Sequence, residues 1–216
     1  TERKDAPAAA AADLPPAVRP VEIAKGELDC QLRSLRFSSC GRFLAAAGFD
    51  SSIRRFLWEQ DGETTNFKEL LAIGGGHDGW VTQVALHHQH PVLFSSDSWG
   101  RLRASDMGQD FLGHDLLWDR GEAHDGWIRR IALSPDSSRL ATCGRDRFVR
   151  LWNAEDGELI AESRQPEDLY AVAFTPDGKR IVHGDEKGAL RLWDYAADKL
   201  LAEYDDYIVV NGGKIN

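Results

Sequence analysis

Residues 124–157 read HDGWIRRIALSPDSSRLATCGRDRFVRLWNAEDG, and this stretch limits the fold more than any other part of the chain. A run carrying Ile128, Ile131 and Leu133 lies between an Asp125-Gly126 turn and a Ser134-Pro135-Asp136 turn. A second run over 140–143 leads into a tight corner at 144–146, and a third ends in Val149, Leu151 and Trp152 before Asp156-Gly157. Short β-rich runs broken by Gly, Pro and Asp every eight to twelve residues or so predict an antiparallel meander.

The stretch resembles one WD40 repeat, in which a His opens the unit, an SPD turn joins the first two strands and Trp-Asp closes the third. Asn153 stands where the family has Asp. The resemblance implies a buried hydrogen-bonded tetrad of His124, Thr142, Asp146 and Trp152. Physical chemistry gives such a set a structural role. A small blade has little core, and a Trp whose N–H meets a hydroxyl adds buried area without an orphaned donor, while a carboxylate fixes the His tautomer.

The pattern recurs. Aligning FSSCGR at 37–42 with FTPDGK at 174–179 puts Leu35, Val84, Ile131 and Val172 at one repeat position, with spacings of 49, 47 and 41 residues. These lie at or slightly above the roughly 40–45 residues expected of this repeat type. Four repeats follow, at about 29–73, 77–118, 124–162 and 165–203, with a fifth beginning over 207–216. The first keeps Asp50 but has Leu28, Ala46 and Phe56 at the other tetrad positions. The second opens with HDGW and keeps Ser95, with Trp99 at the acid position and Ser105-Asp106 for Trp-Asp. The fourth ends in LRLWD but offers Gln165, His183 and Lys187. On this alignment only the third tetrad is complete.

The expected fold is therefore all-β, a WD40-type β-propeller with about four blades visible over 21–216. Residues 1–20, with Ala8 to Ala12 followed by Pro15, Pro16 and Pro20, read as a linker or arm. Val21 to Ile23 reads as a strand completing a neighbouring blade. Because the family mostly has seven or eight blades, the resemblance implies an incomplete, open propeller, a fragment of a larger WD40 protein of bacterial type. Missing blades or oligomer contacts are then expected to cover its ends.

The chain has 26 basic and 35 acidic residues and a net charge of −9, which opposes attraction to phosphate backbones, so no nucleic acid is expected. No run of about eighteen apolar residues occurs, so no membrane span is expected. Cys30, Cys40 and Cys143 form no CxxC pair and suggest neither a disulfide framework nor zinc. They barely constrain the compartment, with the cytoplasm slightly favoured. Gly74, Gly76 and Gly79 spell GxGxxG, but VTQVAL follows as a strand rather than a helix, so the glycines read as an inter-blade loop and no cofactor is expected. His87, His88 and His90 fall on the hairpin turn that matches 134–137, which argues against a metal site. No GxSxG, HExxH or P-loop string occurs, and the chain is not expected to be an enzyme.

The resemblance implies a non-catalytic scaffold that binds a protein or peptide on the face carrying the inter-blade loops. The positions expected there are Asp78, Trp80 and Ser98 in the second repeat, then Asp125, Trp127 and Arg145 in the third, flanked by Asp168, Glu186 and Phe49. Aromatics and Arg dominate interface energetics, which makes the two tryptophans the expected hot spot. The competing reading is that each Trp folds back over its own blade. Alternatives for the whole are a propeller binding carbohydrate or a small ligand, or the non-catalytic part of a larger multidomain enzyme. The innermost strands LRSLRF, VTQVAL, IRRIAL and LYAVAF offer Arg but no carboxylate or His for chemistry.

Overall fold

The structure, a computed structural model, describes residues 28–61, 64–73 and 76–204, and these contain sixteen strands and no helix. The expected arm at 1–20, the strand at 21–23, the fifth repeat and Gly74 lie outside the described residues. The strands form four antiparallel four-stranded sheets, each in chain order. The first blade is β1 (Leu32–Phe37), β2 (Phe43–Gly48), β3 (Ile53–Asp61) and β4 (Thr64–Ile73). The second is β5 (Val81–Leu86), β6 (Val92–Asp97), β7 (Leu102–Asp106) and β8 (Asp115–Arg120). The third is β9 (Ile128–Leu133), β10 (Arg139–Gly144), β11 (Phe148–Asn153) and β12 (Leu159–Arg164). The fourth is β13 (Leu169–Phe174), β14 (Ile181–Asp185), β15 (Leu190–Asp194) and β16 (Lys199–Tyr204).

Successive side chains of a strand point to opposite faces, so a blade buried on both faces must be apolar on both. β10 shows this. Leu140 packs towards the second blade with Phe94, Trp118 and Trp152, while Ala141 and Cys143 pack towards the fourth with Leu169, Ile181 and Trp193. Phe43, Ile53, Val81, Leu93 and Phe111 fill the seam between the first and second blades. Three seams thus join four blades into one arc. With no described blade beyond the fourth, Leu190 and Tyr204 stay about half exposed, at 47% and 56%.

Polar bonds cross the seams as well. Thr82 Oγ1 donates to the Ile128 carbonyl (2.7 Å), and Trp118 Nε1 to that of Ala154 (3.0 Å). Arg55 is wholly buried in β3 and has no carboxylate partner among the described residues. It donates instead to the carbonyls of Leu71, Phe111 (2.7 Å) and Gly113 (2.8 Å), so a charge-assisted network replaces an ion pair.

Each blade also repeats an Arg on its third strand facing an acid on its fourth. The pairs are Arg54–Glu69 (3.6 Å), Arg103–Asp119 (3.3 Å), Arg150–Glu162 (2.9 Å) and Arg191–Glu203 (2.7 Å). The innermost strands β1, β5, β9 and β13 stand side by side around an open groove of about 560 Å³, lined at its lower end by Phe37, Leu86, Leu133 and Phe174.

Candidate functional site

In the third blade the four expected tetrad residues form one chain of bonds. Trp152 Nε1 donates to Thr142 Oγ1 (2.9 Å), Thr142 Oγ1 lies 2.7 Å from His124 Nε2, and His124 Nδ1 lies 2.8 Å from Asp146 Oδ1. Because the Asp146 carboxylate can only accept, the proton of the neutral imidazole sits on Nδ1, facing it, and Nε2 accepts from the Thr142 hydroxyl. Burial holds His124 below its usual pKa against the opposing pull of Asp146, so the ring is neutral. Burial pushes the Asp146 carboxyl upward, but bonds from His124, Arg150 and the Phe148 N–H outweigh it and leave the pKa lowered. All four members are spent on one another, and the constellation holds a blade together.

The second and fourth blades correct the repeat alignment. In the second, the acid is Asp97, not a residue at the Trp99 position: His77 Nδ1 lies 2.9 Å from Asp97 Oδ2 and His77 Nε2 lies 2.8 Å from Ser95 Oγ. Asp97 Oδ1 also accepts the N–H groups of Trp99 (2.9 Å) and Arg101 (3.0 Å) and so organises that corner. In the fourth blade Asp185, not Lys187, is the corner carboxylate. It accepts from the N–H groups of Lys187 and Ala189 and pairs with Arg191 at 2.7 Å. Offset counting failed because the acid sits four residues after the hydroxyl position in the third blade and two after it in these.

The loops entering the innermost strands carry a different set of side chains. Phe49 and Trp80 meet edge to face with ring centres 4.8 Å apart, and Trp80 meets Trp127 at 5.9 Å. Arg33 reaches over both Phe49 (5.4 Å) and Trp127 (5.8 Å). Arg129 lies 5.3 Å from the Trp127 ring centre and 4.0 Å from that of Tyr170. The cluster is continuous across all four blades. Trp80 is 44% exposed and Trp127 half-buried, so the rings lie beside one another at the surface rather than each folding over its own blade.

Backbone irregularity puts these residues there. Every innermost strand slips register once near its start, between Leu32 and Ser34, Val81 and Gln83, Ile128 and Arg130, and Leu169 and Ala171. The residues left out of the ladder are Arg33, Thr82, Arg129 and Tyr170. A bulge residue escapes the alternation of the strand and its side chain is re-aimed, which is how a uniform blade can present a varied set at one end of its groove. The tryptophans are fixed by their loops. Trp80 N–H donates to Ser98 Oγ (3.0 Å), and a Cβ on Gly79 would lie 2.4 Å from that oxygen. The Trp127 carbonyl accepts from Arg145 N–H (3.0 Å), with Gly144 so close beneath it that a Cβ would come within 2.5 Å.

The remaining expected face residues divide. Ser98 is corrected in position: it is buried at 8% exposure rather than projecting from the face, and its hydroxyl accepts from the Trp80 N–H. Asp78 is exposed but pairs with Arg101 at 2.7 Å, and Asp168 pairs with Arg147 at 3.5 Å. Asp125, Arg145 and Glu186 are exposed on the same loops. Sequence reasoning missed Arg33, Arg129 and Tyr170. The available signal was that they share one repeat position, two residues before Leu35, Ile131 and Val172.

The strings that resemble chemical motifs are accounted for locally. Gly76 and Gly79 precede a strand, as expected of an inter-blade loop. His87 Nδ1 accepts from the N–H groups of Gln89 and His90, both at 3.1 Å, which commits it to the turn.

The WD40 family (WD domain, G-beta repeat) matches residues 20–56, 118–153 and 158–194, together just over half of the chain. Among curated proteins, the chain is similar to "Eukaryotic translation initiation factor 3 subunit I" of Coccidioides immitis, 30% identical over 119 residues that cover 52% of this chain and 32% of the relative. It is 35% identical over 143 residues to the protein of that name in Aspergillus oryzae, covering 61% and 39%. The similarity to "Pre-mRNA-splicing factor cwf17" of Schizosaccharomyces pombe is 25% over 159 residues, covering 74% and 44%. Each match spans less than half the length of the relative. These relatives are eukaryotic and give no support to the expected bacterial type. A chain in a "Crystal Structure of Mitotic Checkpoint Complex" shares the fold with a TM-score of 0.69 at 18% identity, covering 84% of this chain and 53% of that one. From its blades, its tetrad and these matches, the chain belongs to the WD40 repeat family.

Proposed function

We propose that the chain is a non-catalytic scaffold that docks a protein or peptide partner on the aromatic and arginine cluster at the loop end of its groove. The observation that carries this is the unbroken run Phe49–Trp80–Trp127, bridged by Arg33 and joined through Arg129 to Tyr170. Rings and guanidinium groups held rigid by their neighbours bind with little loss of conformational entropy, the property that makes such residues hot spots. The relatives named above are called a subunit and a splicing factor, and a place within a protein assembly suits this chain as well.

The re-aimed groups Arg33, Thr82, Arg129 and Tyr170 include no carboxylate or imidazole to act as a general acid or base, which weighs against a reaction in the groove. Calorimetric titration with a selected protein or peptide ligand tests the proposal. Trp80→Ala or Trp127→Ala should weaken binding by about 2 kcal/mol or more with little change in melting temperature. A large fall in stability with unchanged affinity would make both residues structural and overturn the reading.

A further inference from the structure

Resting on that docking site, we infer that the partner segment is acidic: it sets an Asp or Glu side chain against Arg33 and Arg129, with an apolar neighbour on Trp80. Most of the arginines that brace the blades are neutralised internally. Arg54 pairs with Asp29 and Asp50, Arg101 with Asp78 and Asp119, Arg150 with Asp146 and Glu162, and Arg191 with Asp185 and Glu203.

With 35 acidic residues against 26 basic ones, carboxylates are not scarce. Arg33 and Arg129 nevertheless have no ion pair among the described residues and lie against rings instead. A ring beneath a guanidinium fixes the plane of the cation while the edge N–H groups, which lie in that plane, remain donors. Nε of Arg129 is buried without an acceptor among the described residues, so the terminal nitrogens of its guanidinium are the donors left to meet an incoming carboxylate. Of the acids on these loops, Asp78 and Asp168 are held by Arg101 and Arg147, and the exposed Asp125 and Glu186 form no ion pair with Arg33 or Arg129 among the described residues.

The occupant is a peptide rather than a nucleic acid on grounds of charge. A strand of phosphates is drawn by many cations, and this chain carries a net charge of −9 with two unpaired arginines at the cluster. A single carboxylate beside an apolar side chain asks for no more than two donors and one ring face.

Panning a display library of random short peptides on the whole chain tests the inference. Binders should share Asp or Glu next to an apolar residue. A synthetic peptide of that consensus should bind at least about tenfold more tightly than its Asn or Gln analogue. Arg33→Gln and Arg129→Gln should each weaken it by a similar factor, and Arg36→Gln, at the far end of β1, should not. A neutral or basic consensus, an acidic one indifferent to both substitutions, no binders, or tighter binding of oligouridine would each overturn the inference. A neutral consensus that Trp80→Ala abolishes would remove the acidic partner and keep the docking site. Binders indifferent to Trp80→Ala as well would remove both.

Discussion

The third and fourth blades have the same strand order and register, and each closes on a buried Trp, yet their polar interiors differ. In the third, Trp152 has a hydroxyl partner and His124 a carboxylate. In the fourth, His183 takes the hydroxyl position and is 1% exposed, with neither ring nitrogen bonded among the described residues. Trp193 turns to Asp198 at 3.2 Å, and Gln165, at the His position, bonds Ser163. Both blades fold because the seams are apolar: Trp152 is 6% exposed and Trp193 2%. Packing makes the blade, and the tetrad determines how it responds to acid and to substitution.

Removing the shared element should have the largest effect. Trp152→Ala empties a buried ring volume between the second and third blades and orphans the Thr142 acceptor site, and should destabilise the chain by about 3–5 kcal/mol. Trp193→Ala should cost a similar amount despite its poorer hydrogen bond, because packing is the common factor. Urea titrations of the two variants check this. A Trp193 variant losing less than half as much would mean that the hydrogen-bonded chain, not the seam, carries the stability.

The difference between the blades should appear as pH dependence. Burial, reinforced by Arg191 and opposed by Asp185, lowers the His183 pKa from 6.5 to about 4. The unfolded chain therefore takes up that proton first. Stability should be full above pH 6.5 or so and decline as the pH falls towards 4, by up to about 3 kcal/mol for a shift of this size. His124 acts in the same direction, and Asp146, lowered in the fold, extends the loss below the ordinary carboxylate range. His183→Thr offers Trp193 the partner that Thr142 gives Trp152, and should flatten the decline between pH 6.5 and 4. Melts across that range decide it, and an unchanged slope would assign the acid sensitivity to His124.

What was legible beforehand follows the same division. Blade number, strand positions and the third tetrad were readable because each rests on a repeating local pattern: alternation within strands, turn residues between them, and matched offsets. The bulged residues were not. Alternation presents Arg33 and Arg129 as ordinary strand positions, and only the slipped pairing with β2 and β10 shows that they leave the ladder. Arg55 was equally hidden, because an Arg in IRRF reads as surface until the chain brings the carbonyls of Phe111 and Gly113 to it from 56 and 58 residues away. The acids of the second and fourth blades were missed because a constant offset was assumed across corners of different construction.

That last error yields the smallest expected effect, at Trp99. The side chain is 69% exposed, and its own hydrogen-bonding contribution is a backbone N–H that any residue but proline would supply to Asp97. Trp99→Ala should therefore cost less than about 1 kcal/mol, the loss of ring contact over Gly79 being all that is given up. Asp97→Asn two residues earlier should cost several times more. Asp97 is wholly buried, and burial alone would raise its pKa, but the bond from His77 and the N–H groups of Arg101 and Trp99 outweigh that and lower it. An amide keeps the shape but brings an N–H₂ towards these donors, and the blade loses a charge-assisted network. Melting the two variants side by side separates them. If Trp99→Ala proved the more damaging, the ring would be a structural cap on the corner, and the carboxylate would not be what organises it.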